Sequence, residues 1–127
     1  MERAKKLLEI ETLTENMMKK HKSSSLLRLK VLFFASMYEN LSVSMIIEKL
    51  GIKKSNFALL TSELEEHGLI RMEQAEIDRR CRVMHLTEKG KTELESYLKD
   101  IERSLGPTNP ELDRAFDLIL GFLNKKI

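Results

Sequence analysis

Along most of the chain apolar residues recur every three or four positions, the period of amphipathic helices, and departures from that period mark the breaks between elements. From about Arg3 to Lys20, apolar positions that include Leu7, Leu13, Met17 and Met18 are separated by charges, which predicts a helix with a thin apolar stripe. The cluster Lys19-Lys20-His21-Lys22 and the serines Ser23, Ser24 and Ser25 interrupt the pattern and offer side-chain caps for a second helix. That helix, Leu26 to Tyr38, is apolar on nearly every side through Leu29, Val31, Leu32, Phe33, Phe34 and Ala35, so it is expected at the centre of the fold.

Ser42 suits the N-cap of a short helix whose Val43, Ile46, Ile47 and Leu50 complete an apolar stripe, closed by Gly51. Phe57, Leu60, Thr61 and Leu64 repeat the spacing in the next helix, which Gly68 ends. Two short helices joined by Gly51-Ile52-Lys53 have the proportions of a helix-turn-helix. Leu69 to Glu73 then reads as a strand and Gln74 to Asp78 as a polar connection, so Leu69 to Leu86 is a two-stranded hairpin with Arg79, Arg80 and Arg82 near its tip. Thr87 caps a long helix carrying Leu94, Tyr97, Leu98, Ile101 and Leu105 on one face. Gly106-Pro107-Thr108-Asn109-Pro110 breaks it, and Glu111 to Lys126 forms the last helix. With Leu112, Ala115, Phe116, Leu118, Ile119, Leu120, Phe122, Leu123 and Ile127, that helix has far more apolar surface than one contact face requires, and burial against a second copy is the simplest remedy.

The fold class is therefore mainly α with a small β-hairpin wing. It is a winged helix-turn-helix over residues 23–86, flanked by helical segments over 1–22 and 87–127, in a single domain of 127 residues. Charged residues make up 33% and the formal net charge is +2, well short of the excess of a histone-like nonspecific binder, so nucleic-acid affinity must come from local patches. One patch is the wing tip, whose arginines suit phosphates and the minor groove. The other is Lys19, Lys20, Lys22, Arg28 and Lys30 around the start of the second helix. The helix between the motif's turn and Gly68 contributes less, because from Lys53 to His67 two lysines face three glutamates, Glu63, Glu65 and Glu66.

Cys81 is the single cysteine and cannot form an intramolecular disulfide. No secretory leader and no apolar run of membrane-spanning length is apparent, so a cytoplasmic, reducing location without membrane association is expected. His21, His67 and His85 are scattered, without acids or cysteine at ligand spacing, and neither a metal nor another cofactor is expected. There is no glycine-rich phosphate loop and no nucleophile motif, so an enzyme is not expected.

In the order of its elements and in several motifs the chain resembles the MarR family of transcriptional regulators. The likeness covers nearly the whole chain. It rests on Asp78-Arg79-Arg80 followed by Leu86-Thr87-Glu88-Lys89-Gly90, on Leu64-Glu65-Glu66-His67-Gly68-Leu69-Ile70 entering the wing, and on Ile46-Ile47-Glu48-Lys49-Leu50-Gly51-Ile52 in the first helix of the motif. The resemblance implies a homodimer that grips a pseudo-palindromic site on double-stranded DNA, in which residues 1–22 and 87–127 supply the dimerisation helices, held together through Leu7, Met17, Ile101, Leu112, Phe116, Ile119 and Leu123. It implies that Asp78 orients Arg80 at the wing tip and that Arg80, or Arg79 in its place, is offered to the minor groove with Arg82 nearby, while Lys53, Lys54, Ser55, Asn56, Leu59 and Ser62 face the major groove. Asn suits adenine, and Leu59 a thymine methyl.

Family members commonly carry a small capping residue where Lys53 stands and an arginine where Leu59 or Glu63 stands, and this chain has neither. Some members sense peroxides through a cysteine near the first helix. Cys81 lies on the wing instead and is read as a structural or incidental thiol. Many members bind small aromatic acids between the dimer helices and the winged domain, which here suggests a crevice lined by Met17, Met18, Phe33, Met37 and Tyr97. The expected function is transcription regulation by occlusion or recruitment at a promoter, in the manner of a repressor or activator. The alternative is a winged-helix protein-interaction module, a regulator subunit or antagonist, in which the acidic helix meets protein.

Overall fold

The computed structural model describes residues 1–19, 26–38, 42–74 and 82–126. These form six helices and one antiparallel hairpin: α1 (Glu2–Lys19), α2 (Leu26–Met37), α3 (Val43–Leu50), α4 (Lys54–Glu66), β1 (Ile70–Gln74), β2 (Arg82–Leu86), α5 (Glu88–Leu105) and α6 (Pro110–Lys126). The predicted element order is the observed one, with several boundaries moved by a residue, among them both ends of α1 and both ends of β1.

Two of the shifts have a clear local cause. Strand β1 begins at Ile70 because Leu69 is still engaged in closing α4, its N–H donating to Leu64 O at 2.9 Å while Gly68 takes a left-handed φ of 74°. Helix α6 begins at Pro110 because the Asn109 side chain accepts from the N–H groups of Glu111 and Leu112, at 3.1 and 3.2 Å. Asn109 is thus the cap, and proline, which has no N–H to lose, fills the first helical position. Helix α2 ends at Met37, one residue before the expected Tyr38. The proposed serine caps of α2 lie outside the described residues.

The core gathers around α2, as its all-round apolar character predicts. Val31 and Leu32 of α2, Ile46 of α3, Phe57 and Leu64 of α4, Ile70 and Met84 of the hairpin, and Leu94 and Tyr97 of α5 pack into one cluster. Large apolar side chains of this kind contribute about 2 kcal/mol each on full burial, so this cluster determines where α4 and the hairpin sit. Helix α2 packs against α5, β2 and α3, and α4 packs against β1. Ser42, the N-cap of α3 through a bond from the Met45 N–H at 3.3 Å, also bridges Val83 of β2 and ties the helical motif to the wing. By contrast, α1 and α6 contain no buried residue at all.

Candidate nucleic-acid interface

Helix α4 turns Phe57 and Leu64 fully inward, with Leu60 and Thr61 half-buried beside them. The 3.6-residue period then sends the other side chains to solvent, and Lys53, Lys54, Ser55, Asn56, Leu59 and Ser62 are all exposed. Lys53 is the N-cap residue in extended conformation, with no side-chain hydrogen bond to the first turn. The first-turn N–H groups and the lysines Lys53 and Lys54 share this end of the helix, an arrangement suited to a phosphate. At the opposite end Glu63, Glu65 and Glu66 are exposed.

The wing faces α4 across a groove. Ile70 pairs with Leu86, Met72 with Met84 and Gln74 with Arg82, so these residues share one side of the ribbon. Met72 and Arg82 accordingly form one wall of a hollow of about 420 Å³, whose other wall is Lys54, Ser55, Ala58, Ser62 and Glu65, with Val43, Ile47 and Phe57 in its floor. Arg82 therefore points toward α4. On the ribbon's other side Arg71 donates through Nε to Glu73 Oε1 at 2.8 Å, and His85 Nε2 lies 3.2 Å from Glu73 Oε2. Those charges serve one another. Asp78, Arg79, Arg80 and Cys81 lie outside the described residues, as do Lys20, His21 and Lys22.

Of the basic residues expected around the start of α2, Lys19, Arg28 and Lys30 are among the described residues. Lys19 pairs with Glu15 at 3.0 Å, an exposed bond that holds the Glu15 carboxyl below its ordinary range. Lys30 is exposed. Arg28, expected to reach phosphate, does not face solvent: its side chain is 16% exposed, and Nη2 donates to Glu93 Oε1 of α5 at 3.0 Å while Nη1 lies 4.0 Å from Glu63 Oε1 of α4. Glu93 also stands beside Tyr97, whose phenol burial, and then this carboxylate, hold above the usual tyrosine range. Sequence reading missed this cluster, because Arg28 and Glu93 are 65 residues apart. The only local signal was an arginine set among leucines.

The Leu-Thr-Glu-Lys-Gly run after the wing is structural. Thr87 Oγ1 caps α5 by accepting from Gly90 N–H at 3.0 Å and itself donates to Gly68 O at 2.7 Å, while Thr87 N–H donates to Leu69 O at 3.1 Å. Lys89 Nζ reaches His67 O at 2.8 Å. A Cβ at Gly90 would overlap the Leu69 carbonyl oxygen and the Leu86 side chain. The motif therefore clamps the start of α5 onto the turn between α4 and the wing.

Of the residues expected to line an effector crevice, Tyr97 belongs to the core at 6% exposure, Phe33 and Met37 are exposed and Met17 and Met18 half-buried, and none of the five lines the two hollows described. The larger, of about 600 Å³, lies between α2, β2 and α5, with Ala35, Met84, Leu86 and Leu94 as apolar lining and Ser36, His85, Lys91 and Glu95 as its polar groups. The tertiary placement of Tyr97 between α2 and α5 is what removes it from the surface. Among the described residues no group of three or more His, Cys, Asp or Glu side chains converges on a metal-sized site, and no helix is long and apolar enough to cross a membrane.

The residues expected to hold a dimer together differ in how open they are, and Ile101 of α5 packs against the core cluster. Leu7 of α1 and Phe116, Ile119 and Leu123 of α6 are exposed, and Met17, Leu112 and Ile101 are half-buried.

Comparison with known proteins adds sequence and fold relatives. YfiV, an HTH-type transcriptional regulator of Bacillus subtilis strain 168, is 33% identical over 108 residues, a match spanning 81% of this chain and 67% of that protein. A MarR family transcriptional regulator from Rhodococcus sp. RHA1 superposes with a TM-score of 0.77 at 18% identity, over 91% of this chain and 88% of its own. Sco3205, a MarR family transcriptional regulator from Streptomyces coelicolor solved in complex with DNA, superposes with a TM-score of 0.70 at 16% identity, over 96% of this chain and 83% of its own. No protein-family model matches the chain.

Proposed function

We propose that this HTH-type transcriptional regulator, whose fold is that of the MarR family, acts as a homodimer which binds a pseudo-palindromic operator in double-stranded DNA. The observation that carries this reading is the open ridge of α4, held outward by Phe57 and Leu64 and facing Arg82 of the wing across a groove. In this reading α4 enters the major groove with Lys53, Lys54, Ser55, Asn56, Leu59 and Ser62. Arg79 and Arg80, with Asp78 orienting Arg80, take the wing to the minor groove. The homodimer forms through α1, α5 and α6 around Leu7, Met17, Ile101, Leu112, Phe116, Ile119 and Leu123. Each protomer then supplies one half-site, and a two-fold axis matches the operator's symmetry.

An effector of small aromatic type belongs, on this reading, in the hollow between α2, β2 and α5, where His85 joins the cavity to the Arg71–Glu73 pair on the wing. A ligand that draws His85 away from Glu73 would act directly on the DNA-facing ribbon.

Selection from random-sequence duplexes at about 0.1 M salt, where screening is near physiological, tests the proposal. An enriched inverted repeat with half-sites about one helical turn apart is expected. Changing Arg79 and Arg80 together to Ala is expected to weaken binding and lower its salt slope by about one for each phosphate that is no longer neutralised. Recovery of no motif would favour the interaction-module alternative, to which the surplus of glutamate over lysine on α4 lends weight.

A further inference from the structure

We infer that Leu59 reads the 5-methyl group of a thymine, so that selectivity in each half-site rests on an apolar contact at the crest of α4. The inference rests on the operator-binding reading and specifies what that face recognises. Leu59 is 75% exposed and is the one large apolar side chain of α4 that the fold leaves uncovered. The core does not need it, because Phe57, Leu60, Thr61 and Leu64 already complete the inward stripe. Singly exposed leucines are common on protein surfaces; this one is distinguished by where it stands. Ser55 and Asn56 lie one turn before it and Ser62 and Glu63 one turn after, all exposed; the two serines are short, so on their side the Leu59 isobutyl group stands clear. Ser55 and Ser62 also border the groove shared with Arg82, which Leu59 does not line, and this sets Leu59 on the outermost line of the helix.

The chemistry available along that line is restricted. Helix α4 contains no arginine, so it cannot supply the planar fork that reads guanine through O6 and N7. Its only cations are at the first turn, and Glu63 and Glu66 follow Leu59. The thymine methyl is the apolar feature that the major groove displays, and an exposed leucine with the hydroxyls of Ser55 and Ser62 on one side of it is complementary to that methyl. Serine hydroxyls can donate or accept and thus serve the flanking bases without demanding one of them.

The experiment uses the full chain and the selected operator. Each thymine of the half-site is replaced in turn by uracil, which lacks only the methyl, and affinities are measured by fluorescence anisotropy for the wild type and for Leu59→Ala. One uracil position is expected to weaken wild-type binding about fourfold per half-site, the effect of one methyl group removed from water. Leu59→Ala should bind the thymine operator more weakly and be indifferent to uracil at that position. The variant keeps its fold, because the side chain is outside the core, and circular dichroism checks this. Indifference of the wild type to uracil at every position overturns the inference, and so does a uracil effect that persists undiminished in Leu59→Ala. Failure to select any operator would instead sink the operator-binding reading and this inference with it.

Discussion

Arg28 shows how far a single side chain's role depends on its surroundings. By composition it belongs to a basic patch near the start of α2, yet the fold turns it inward to Glu93 and toward Glu63. A guanidinium that is only 16% exposed must be paired to be tolerated, and its Nε has no acceptor among the described residues. A hydrogen bond to a charged group is worth about 2 kcal/mol. Arg28→Met is therefore expected to lower the unfolding free energy in urea by about that amount, because Glu93 is left three-quarters buried without its partner. Adding Glu93→Gln should restore part of it, since the stranded charge is then removed. The salt slope of DNA binding should not change. A fall of about one in that slope would show that Arg28 does reach a phosphate.

At the scale of elements, the join between wing and α5 is the most tightly determined part of the molecule. Thr87 satisfies a first-turn N–H of α5 and the Gly68 carbonyl at once, and Gly90 lets the helix lie against the Leu69 carbonyl with no side chain between. Gly90→Ala is expected to destabilise by about 3 kcal/mol, because the atom in the way is backbone and cannot rotate aside. Thr87→Val keeps the shape and loses the oxygen, for an expected loss of about 1 kcal/mol. Thermal melting of both variants orders the two effects. If Thr87→Val melted lower, α5 would be free to slide away from Leu69, and the close approach at Gly90 would not be what sets its position.

At the scale of the whole molecule, α1 and α6 pose the question of what completes them. Neither buries a residue, and α6 exposes Leu118, Leu120 and Phe122 in addition to Phe116, Ile119 and Leu123. So wide an apolar surface accords with the proposed homodimer, in which a second copy removes it from water. Phe116→Asp or Ile119→Asp is expected to give a monomer by sedimentation and to lose most operator affinity, since one half-site supplies too few contacts. A wild type that sediments as a monomer would overturn this assembly and require another cover for α6.

The sequence by itself determined the element order, because helix and strand periodicity and the caps at Ser42 and Thr87 are local properties of the chain. It also marked the inward and outward faces of α4, since a 3.6-residue period with Phe57, Leu60 and Leu64 on one side leaves Ser55, Leu59 and Ser62 on the other. What it carried as a motif without its cause was Leu86 to Gly90, whose work is a contact with residues of the preceding turn. The tertiary structure alone decided the partners of charges and the location of hollows. Arg28 and Tyr97 looked available because composition does not show that α2 and α5 press together, and that packing brings Glu93 to Arg28 and removes Tyr97 from the surface. Ion pairs and cavities arise where segments far apart in the chain meet, and no spacing within one segment encodes that meeting.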